Sequence, residues 1–255
     1  MIDIGNTDTV LGLYMKSNLL HSWRLSSRSH RTEDEYWVAV ESFLGLQDFK
    51  VQEIQGVAIS SVVPELTMVY RRMVEKYLKT IPLLVGADMD LGMKILYEDP
   101  NAVGADRLCN TVAGKARYGM PLIIIDFGTA TTFDCVDQAG DYLGGVICPG
   151  IESTAAILHQ RAAKLPEIEL RFPEKVIGTN TQQSMQSGIM IGTVKLIEGL
   201  VDEIKKELSG NPKVIATGGL AHIVSEKTRC IDAVDYNLNL DGINLIYQRN
   251  IKKVS

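Results

Sequence analysis

The chain has few cysteines, and none of them are neighbours. Cys109, Cys135, Cys148 and Cys230 form no CxxC pair. That spacing argues against a zinc site or a disulfide framework and for free thiols in a reducing compartment. His21, His30, His159 and His222 are equally scattered, and none is assigned a ligand role. A basic surplus is also missing: 26 Lys and Arg stand against 31 Asp and Glu, a net charge of −5. With nothing to neutralise phosphates along a polymer, a nucleic-acid partner is disfavoured. Apolar runs such as "MPLIII" are far too short to span a bilayer, so no membrane partner is expected. A charged residue stands third and no apolar signal core follows it, which predicts no secretion signal and a cytoplasmic location. Two common nucleotide signatures are absent as well, the GxxxxGK[ST] of P-loop kinases and the GxGxxG of dinucleotide folds.

What remains is a composition ordinary for a globular chain, 255 residues with 45% hydrophobic and 22% charged. That length accommodates two medium domains with proper cores. The first half reads strand (2–4), glycine turn, strand (9–15), strand (19–25), helix, strand, helix, strand. Thr32 followed by Glu35 predicts a capping box at the first helix. "QGVAISSVV" is a β-branched run suited to a buried strand. In "PELTMVYRRMVEKYLKT", Leu66, Val69, Met73 and Tyr77 recur at helical spacing behind Pro64. The second half restarts the plan with "LIIID", a glycine turn, "TFDCVD" and "YLGGVICPG". Helices are expected from there to about residue 209, and then the strand "KVIATGGL".

The openings of the two halves match. "IDIGNTDTVLGLY" and "DFGTATTFD" each deliver an aspartate at a strand end, turn through glycine and threonine, and re-enter a strand. They begin at Asp3 and Asp126, separated by close to half the chain, which points to an internal duplication with a boundary near residues 116–121. Glycine and small hydroxyl residues after a strand let backbone N–H groups approach an anion. A carboxylate there cannot bind phosphate, but it can hold a cation or a metal-bound water that neutralises one. Turn plus carboxylate therefore suits a nucleoside triphosphate with its metal. One such turn alone could be a plain hairpin; two at equivalent places favour the site. "ATGGL" (216–220) is a third glycine turn, where a nucleobase could lie against exposed backbone.

These residues resemble a known superfamily. "DIGNT" and "DFGTATT" look like the paired phosphate loops of the actin, hexokinase and acetate-kinase group, and "ATGGL" like its adenosine loop. Within it, "VGADR" (103–107), "LGGVICPG" (143–150) and "IGTNTQQSMQSG" (177–188) resemble the type III pantothenate kinases over nearly the whole chain. The resemblance implies an α/β fold of two duplicated ribonuclease H-like (actin-like) domains, residues 1–117 and 118–255. Each would be a mixed sheet flanked by helices, with an active-site cleft between them. It implies ATP-dependent phosphorylation of pantothenate to 4'-phosphopantothenate, the first step of coenzyme A biosynthesis. Asp3, Ile4, Gly5, Asn6, Thr7, Asp8, Thr9 and Val10 would form the ATP phosphate loop, with Thr129 of the second loop also touching ATP. Gly104, Ala105, Asp106 and Arg107 would bind pantothenate with Tyr97 and Thr181, Asp106 being the catalytic base. Asp126 would hold a monovalent cation, potassium or ammonium. Magnesium would arrive with ATP, and the protein would be a homodimer.

Two positions depart from the family pattern. Only Met1 and Ile2 precede Asp3, where a complete first strand would want three or more apolar residues: either the start is late, or the strand is short and its loop less rigidly held. Asp8 stands where the family often has asparagine, and a carboxylate near a triphosphate repels it unless a cation or solvent screens it. By residue chemistry alone, Asp106 is a helix-dipole partner, Arg107 a surface or salt-bridge arginine, Tyr97 a packing residue and Thr181 a helix cap. Two alternatives stay open: another kinase of the superfamily, and a regulatory protein of the Bvg accessory factor type on the same fold.

Overall fold

The computed structural model describes residues 1–28, 31–162 and 164–251; His30, and Ala163 within the stretch expected to be helical, lie outside the described residues. Two compact units result. One comprises Met1–Ala113 together with the segment from Asn237 onward, the other Gly114–Tyr236.

The first unit runs β1 (Ile2–Ile4), β2 (Asp8–Met15), β3 (Asn18–Ser26), α1 (Glu33–Gly45), β4 (Ala58–Ser61), α2 (Pro64–Met73), β5 (Leu83–Leu84) and α3 (Ala105–Tyr118), whose last turns belong to the second unit. The second continues with β6 (Leu122–Phe127), β7 (Ala130–Val136), β8 (Tyr142–Pro149), α4 (Ile151–Arg161), α5 (Thr181–Gln186), α6 (Gly192–Glu207), β9 (Lys213–Gly218), α7 (Ala221–Ser225) and β10 (Ala233–Val234). The closing helix α8 (Leu238–Ile251) returns to the first unit.

Each sheet has five strands, ordered β3-β2-β1-β4-β5 and β8-β7-β6-β9-β10. Renumbered from its own first strand, the second order is the same as the first. The directions agree too. β1 is antiparallel to β2 and parallel to β4, while β6 is antiparallel to β7 and parallel to β9. The duplication inferred from two short openings therefore extends over both whole sheets.

Local chemistry explains the elements. Thr32 accepts from the Glu35 N–H at 3.4 Å and Glu35 accepts from the Thr32 N–H at 2.8 Å, a reciprocal cap that starts α1. Pro64 occupies the first turn of α2, where its missing N–H costs nothing. Ile59, Tyr36, Tyr70 and Met73 meet in the first core. In the second unit Leu122, Ile123, Ile124 and Ile125 are all fully buried. Helices cover both faces of this central strand, so it reads as an unbroken apolar run. Each such side chain contributes about 1.5–3 kcal/mol.

Two expectations need correction. The helices before residue 209 are interrupted, because 164–180 has neither helix nor strand. Pro166 and Pro173 stand in that stretch and exclude a continuous helix. Asn180, whose side chain accepts from the Gln183 N–H at 2.9 Å, caps α5, so Thr181 is its first residue and not its cap. The short first strand is as expected, three residues long.

Helix α8 escaped the sequence reading. It packs against α3 so closely that a Cβ on Gly242 would lie 2.0 Å from the Cys109 carbonyl oxygen. Tyr14 adds a hydrogen bond to Asp241 at 2.6 Å, and Asn244 and Gln248 donate to the Lys16 carbonyl at 2.9 and 2.7 Å. Gly242→Ala must push backbone against backbone. It is expected to cost about 1–3 kcal/mol in urea unfolding. Gly199→Ala in α6, where a Cβ meets nothing within 4 Å, should be neutral or stabilising by up to about 1 kcal/mol.

Candidate active site

The first loop is a tight turn between β1 and β2. Gly5 donates to the Asp8 carbonyl at 3.0 Å, and the registers Asp3↔Val10 and Ile4↔Thr9 resume directly beyond it. Ile4 and Thr9 are buried and anchor the turn, while Asn6 is exposed and Gly5, Thr7, Asp8 and Val10 are partly so. The end of β3 is bolted to it: Ser27 donates to the Thr7 carbonyl at 2.9 Å, and the Thr9 and Ser27 hydroxyls are 2.9 Å apart. The carboxylate of Asp8 accepts from Arg24 at 3.0 Å. A cationic side chain of the neighbouring strand thus stands against this carboxylate.

Asp3 and Asp106 are brought to the same region of the first unit, with Cys109 as the witness. The buried Cys109 thiol is pushed well above its ordinary value by burial, then by the nearby Asp3 charge; the Ser60 hydroxyl opposes this, and Asp106 adds a smaller push. Ser60 pairs with Asp3 across β1 and β4 and is fully buried. Sequence reasoning passed over Ser60 because "ISSVV" scans as a strand, and only the sheet register reveals its neighbour.

Asp106 lies in the first turn of α3 and is partly exposed. Its Oδ1 accepts from the Arg107 N–H at 2.8 Å, and Asn239 of α8 donates to its carbonyl at 3.2 Å. Burial raises its carboxyl above the ordinary aspartate value, opposed by that N–H bond and by the Arg107 charge. Gly104 precedes the helix, its carbonyl accepting from the Leu108 N–H, and a Cβ there would lie 2.5 Å from the Asp106 Oδ1. Ala105 and Arg107 are buried and Tyr97 is 37% exposed.

The remaining residues belong to the second unit. Asp126 is the penultimate residue of β6, opposite Thr132 on β7 and Thr217 on β9. Gly218 follows Thr217 with φ +91°; a Cβ there would lie 2.6 Å from the Phe127 carbonyl and 2.7 Å from the Asp126 Oδ1. Two oxygens thus converge over a residue that has no side chain, forming a cradle that a Cβ would fill. Thr129 sits at the exposed tip of the β6–β7 turn, its carbonyl accepting from the Gly150 N–H at 3.2 Å and the Ser153 hydroxyl at 2.7 Å. Thr181 lines a cavity of about 450 Å³ with Thr154, Leu158, Ser184 and Met185. A larger cavity of about 890 Å³ in the first unit is lined by none of the candidate site residues.

Sheet order, matched strand–glycine turn–strand openings and strand-end carboxylates define the duplicated actin-like ATPase fold. Solved structures share it. A protein described as a Baf family transcriptional activator from Campylobacter jejuni is 19% identical, with 98% of each chain covered and a TM-score of 0.63. Component A of the Acidaminococcus fermentans (R)-2-hydroxyglutaryl-CoA dehydratase is 12% identical, with 99% of this chain and 96% of that one covered and a TM-score of 0.56. A Sinorhizobium meliloti protein described as a 2-dehydro-3-deoxygalactonokinase is 11% identical, with 97% and 95% covered and a TM-score of 0.56. At such identities the likeness is one of fold alone. The chain belongs to the type III pantothenate kinase family, whose profile matches residues 1–203.

The Gly104–Asp106 contact yields a test. The atom that a new Cβ would strike is the tip of a side chain, which can swing away at little cost. Gly104→Ala is expected to change stability by about 1 kcal/mol or less. It should displace the carboxylate from the Arg107 N–H, read as a shift of that amide's NMR resonance. An unmoved resonance would refute the packing argument.

Proposed function

We propose that this chain phosphorylates the primary hydroxyl of pantothenate with ATP. The observation that carries the reading is Asp106, a carboxylate with a raised pKa beside a glycine that makes room for it, inside the stretch that the family profile covers. The hydroxyl oxygen attacks the γ-phosphorus in line, the bond to the β-phosphate oxygen breaks, ADP leaves, and Asp106 accepts the hydroxyl proton. Arg107, Gly104, Ala105, Tyr97 and Thr181 hold the acceptor, with Arg107 facing its carboxylate. The Asp3–Val10 turn and Thr129 hold the triphosphate. Magnesium arrives bound to ATP and neutralises its charge. The cradle over Gly218 offers one carboxylate and one backbone carbonyl oxygen, the hard oxygen ligands and negative charge that potassium or ammonium takes. Asp126 would hold that ion. A homodimer and a cytoplasmic location complete the reading. A regulatory role of the Bvg accessory factor type finds less support, since a net charge of −5 disfavours direct DNA binding.

The deciding experiment is pantothenate-dependent ADP release with MgATP, run beside Asp106→Asn. Wild type is expected to turn over, and the variant to lose about 10²–10⁴-fold in kcat while nucleotide affinity holds. The stability sign differs from that of a dipole partner. Because the folded pKa is raised, the ionised form destabilises the fold at every pH above that value, and the burden fades as pH falls through it. Asp106→Asn should therefore melt at or above the wild-type temperature at neutral pH. Wild-type activity should fall on acidification along a limb above the ordinary aspartate range, absent from the residual activity of the variant. No turnover of pantothenate at millimolar ATP would end the reading, as would a variant within about threefold of wild type.

Activity should also require potassium or ammonium and be weak in sodium. Asp126→Asn is expected to lose both rate and cation dependence. Equal wild-type rates in sodium and potassium would remove the cation role from Asp126.

A further inference from the structure

Asp8 is an unfavourable residue for a phosphate loop taken alone. It closes the turn, its carbonyl accepting the Gly5 N–H at 3.0 Å, so its carboxylate sits where a bound triphosphate would feel it. Yet the carboxylate is not alone. Its Oδ2 accepts from Arg24 Nη1 at 3.0 Å, with the Asp8 side chain 34% and the Arg24 side chain 63% exposed. The register explains the meeting: Asp8 pairs with Ser26 and Val10 with Arg24, so the two side chains are diagonal neighbours on one face of the β2–β3 ribbon. The ribbon end is fixed to the loop through Ser27 and Thr7, and through the Thr9 and Ser27 hydroxyls. Arg24 therefore cannot drift from the turn as a surface arginine on a free loop would.

A guanidinium has five N–H donors in a planar fork, and this contact uses one. The side chain is 63% exposed, and a guanidinium fork with donors to spare is the group that suits phosphate oxygens. We propose that Arg24 is a phosphate-binding residue of the nucleotide site and that Asp8 is its positioning residue. The pair converts a repulsive carboxylate into a holder for a cation. The proposal rests on the reading that the Asp3–Val10 turn holds the ATP phosphates; it does not depend on which acceptor receives the phosphoryl group.

The test is calorimetric titration of the full chain with MgATP, MgADP and AMP, together with steady-state kinetics. Arg24→Met is expected to weaken MgATP about tenfold and MgADP less, to leave AMP unchanged, and to leave the pantothenate KM unchanged. Raising ionic strength should shrink the loss, as for any contact between exposed charges. In an Asp8→Asn background the same arginine substitution should cost only about threefold, because Arg24 is no longer held and no uncompensated acid is left behind. Melting temperatures near wild type, expected for so exposed a pair, keep folding out of the comparison. An Arg24→Met protein that binds MgATP within twofold of wild type overturns the proposal, and so does equal loss for AMP and ATP. Equal penalties with and without the Asp8→Asn substitution overturn the positioning role. If wild type binds MgATP but does not phosphorylate pantothenate, the acceptor assignment falls while the titrations still judge Arg24. If wild type binds no nucleotide, both fall.

Discussion

A carboxylate can act at the edge of a sheet or helix only if the backbone around it leaves space, and in this protein the space is made by removing Cβ atoms. The Asp106 carboxylate folds back over Gly104, and the Asp126 carboxylate overlies Gly218. In both cases a methyl group would stand within 2.7 Å of the oxygen. The same economy sets the scaffold. α8 reaches α3 because Gly242 lets two backbones touch, and α8 then places Asn239 on the Asp106 carbonyl. The placement of the catalytic candidate thus depends on a helix more than a hundred residues further along the chain.

This constraint also decides the electrostatics. Burial at the start of α3 raises the Asp106 carboxyl, while the Arg107 N–H and charge hold it back from rising further. A group arranged this way accepts a proton more readily than a surface aspartate, and its ionised form costs folding energy at neutral pH. That cost makes little sense for a residue whose task is to stabilise a helix start. A raised carboxyl of this kind is the pattern by which candidate functional sites are picked out.

Much of this was legible in the sequence, for an identifiable reason. Apolar strand, aspartate, glycine and threonine form a local pattern, and a local pattern repeated at half-chain spacing exposes the architecture. What was hidden depends on register and on distant packing. Ser60 is adjacent to Asp3 only because β4 lies parallel beside β1. Arg24 meets Asp8 only through the diagonal of β2 and β3. Nothing near residues 238–251 announces that their helix belongs with the first sheet, because "NLNLDGINLIYQRNI" carries no strong boundary signal and its partner surface is supplied by α3. The boundary at 118 rests on the repeat alone, whereas the compact units divide at 113/114 and again at 236/237.

The duplicated sheets also show how two copies of one device come to differ. Asp3 faces Ser60 on β4 and Asp126 faces Thr217 on β9, so a buried hydroxyl residue neighbours each carboxylate. One residue further along, the copies part. Beside Ile4 stands Ser61, whose hydroxyl is engaged with Thr67 at 2.6 Å and with the Val63 N–H at 3.1 Å. Beside Phe127 stands Gly218, with positive φ and no side chain. The first copy spends that position on tying β4 to the start of α2. The second has no side chain there, and the Asp126 carboxylate and the Phe127 carbonyl oxygen close over the glycine instead. The position beside Asp126 thus carries no side chain, whereas a serine fills its counterpart in the first copy. Beside the first turn the charged partner is a side chain, Arg24, held 3.0 Å from Asp8 across the β2–β3 diagonal.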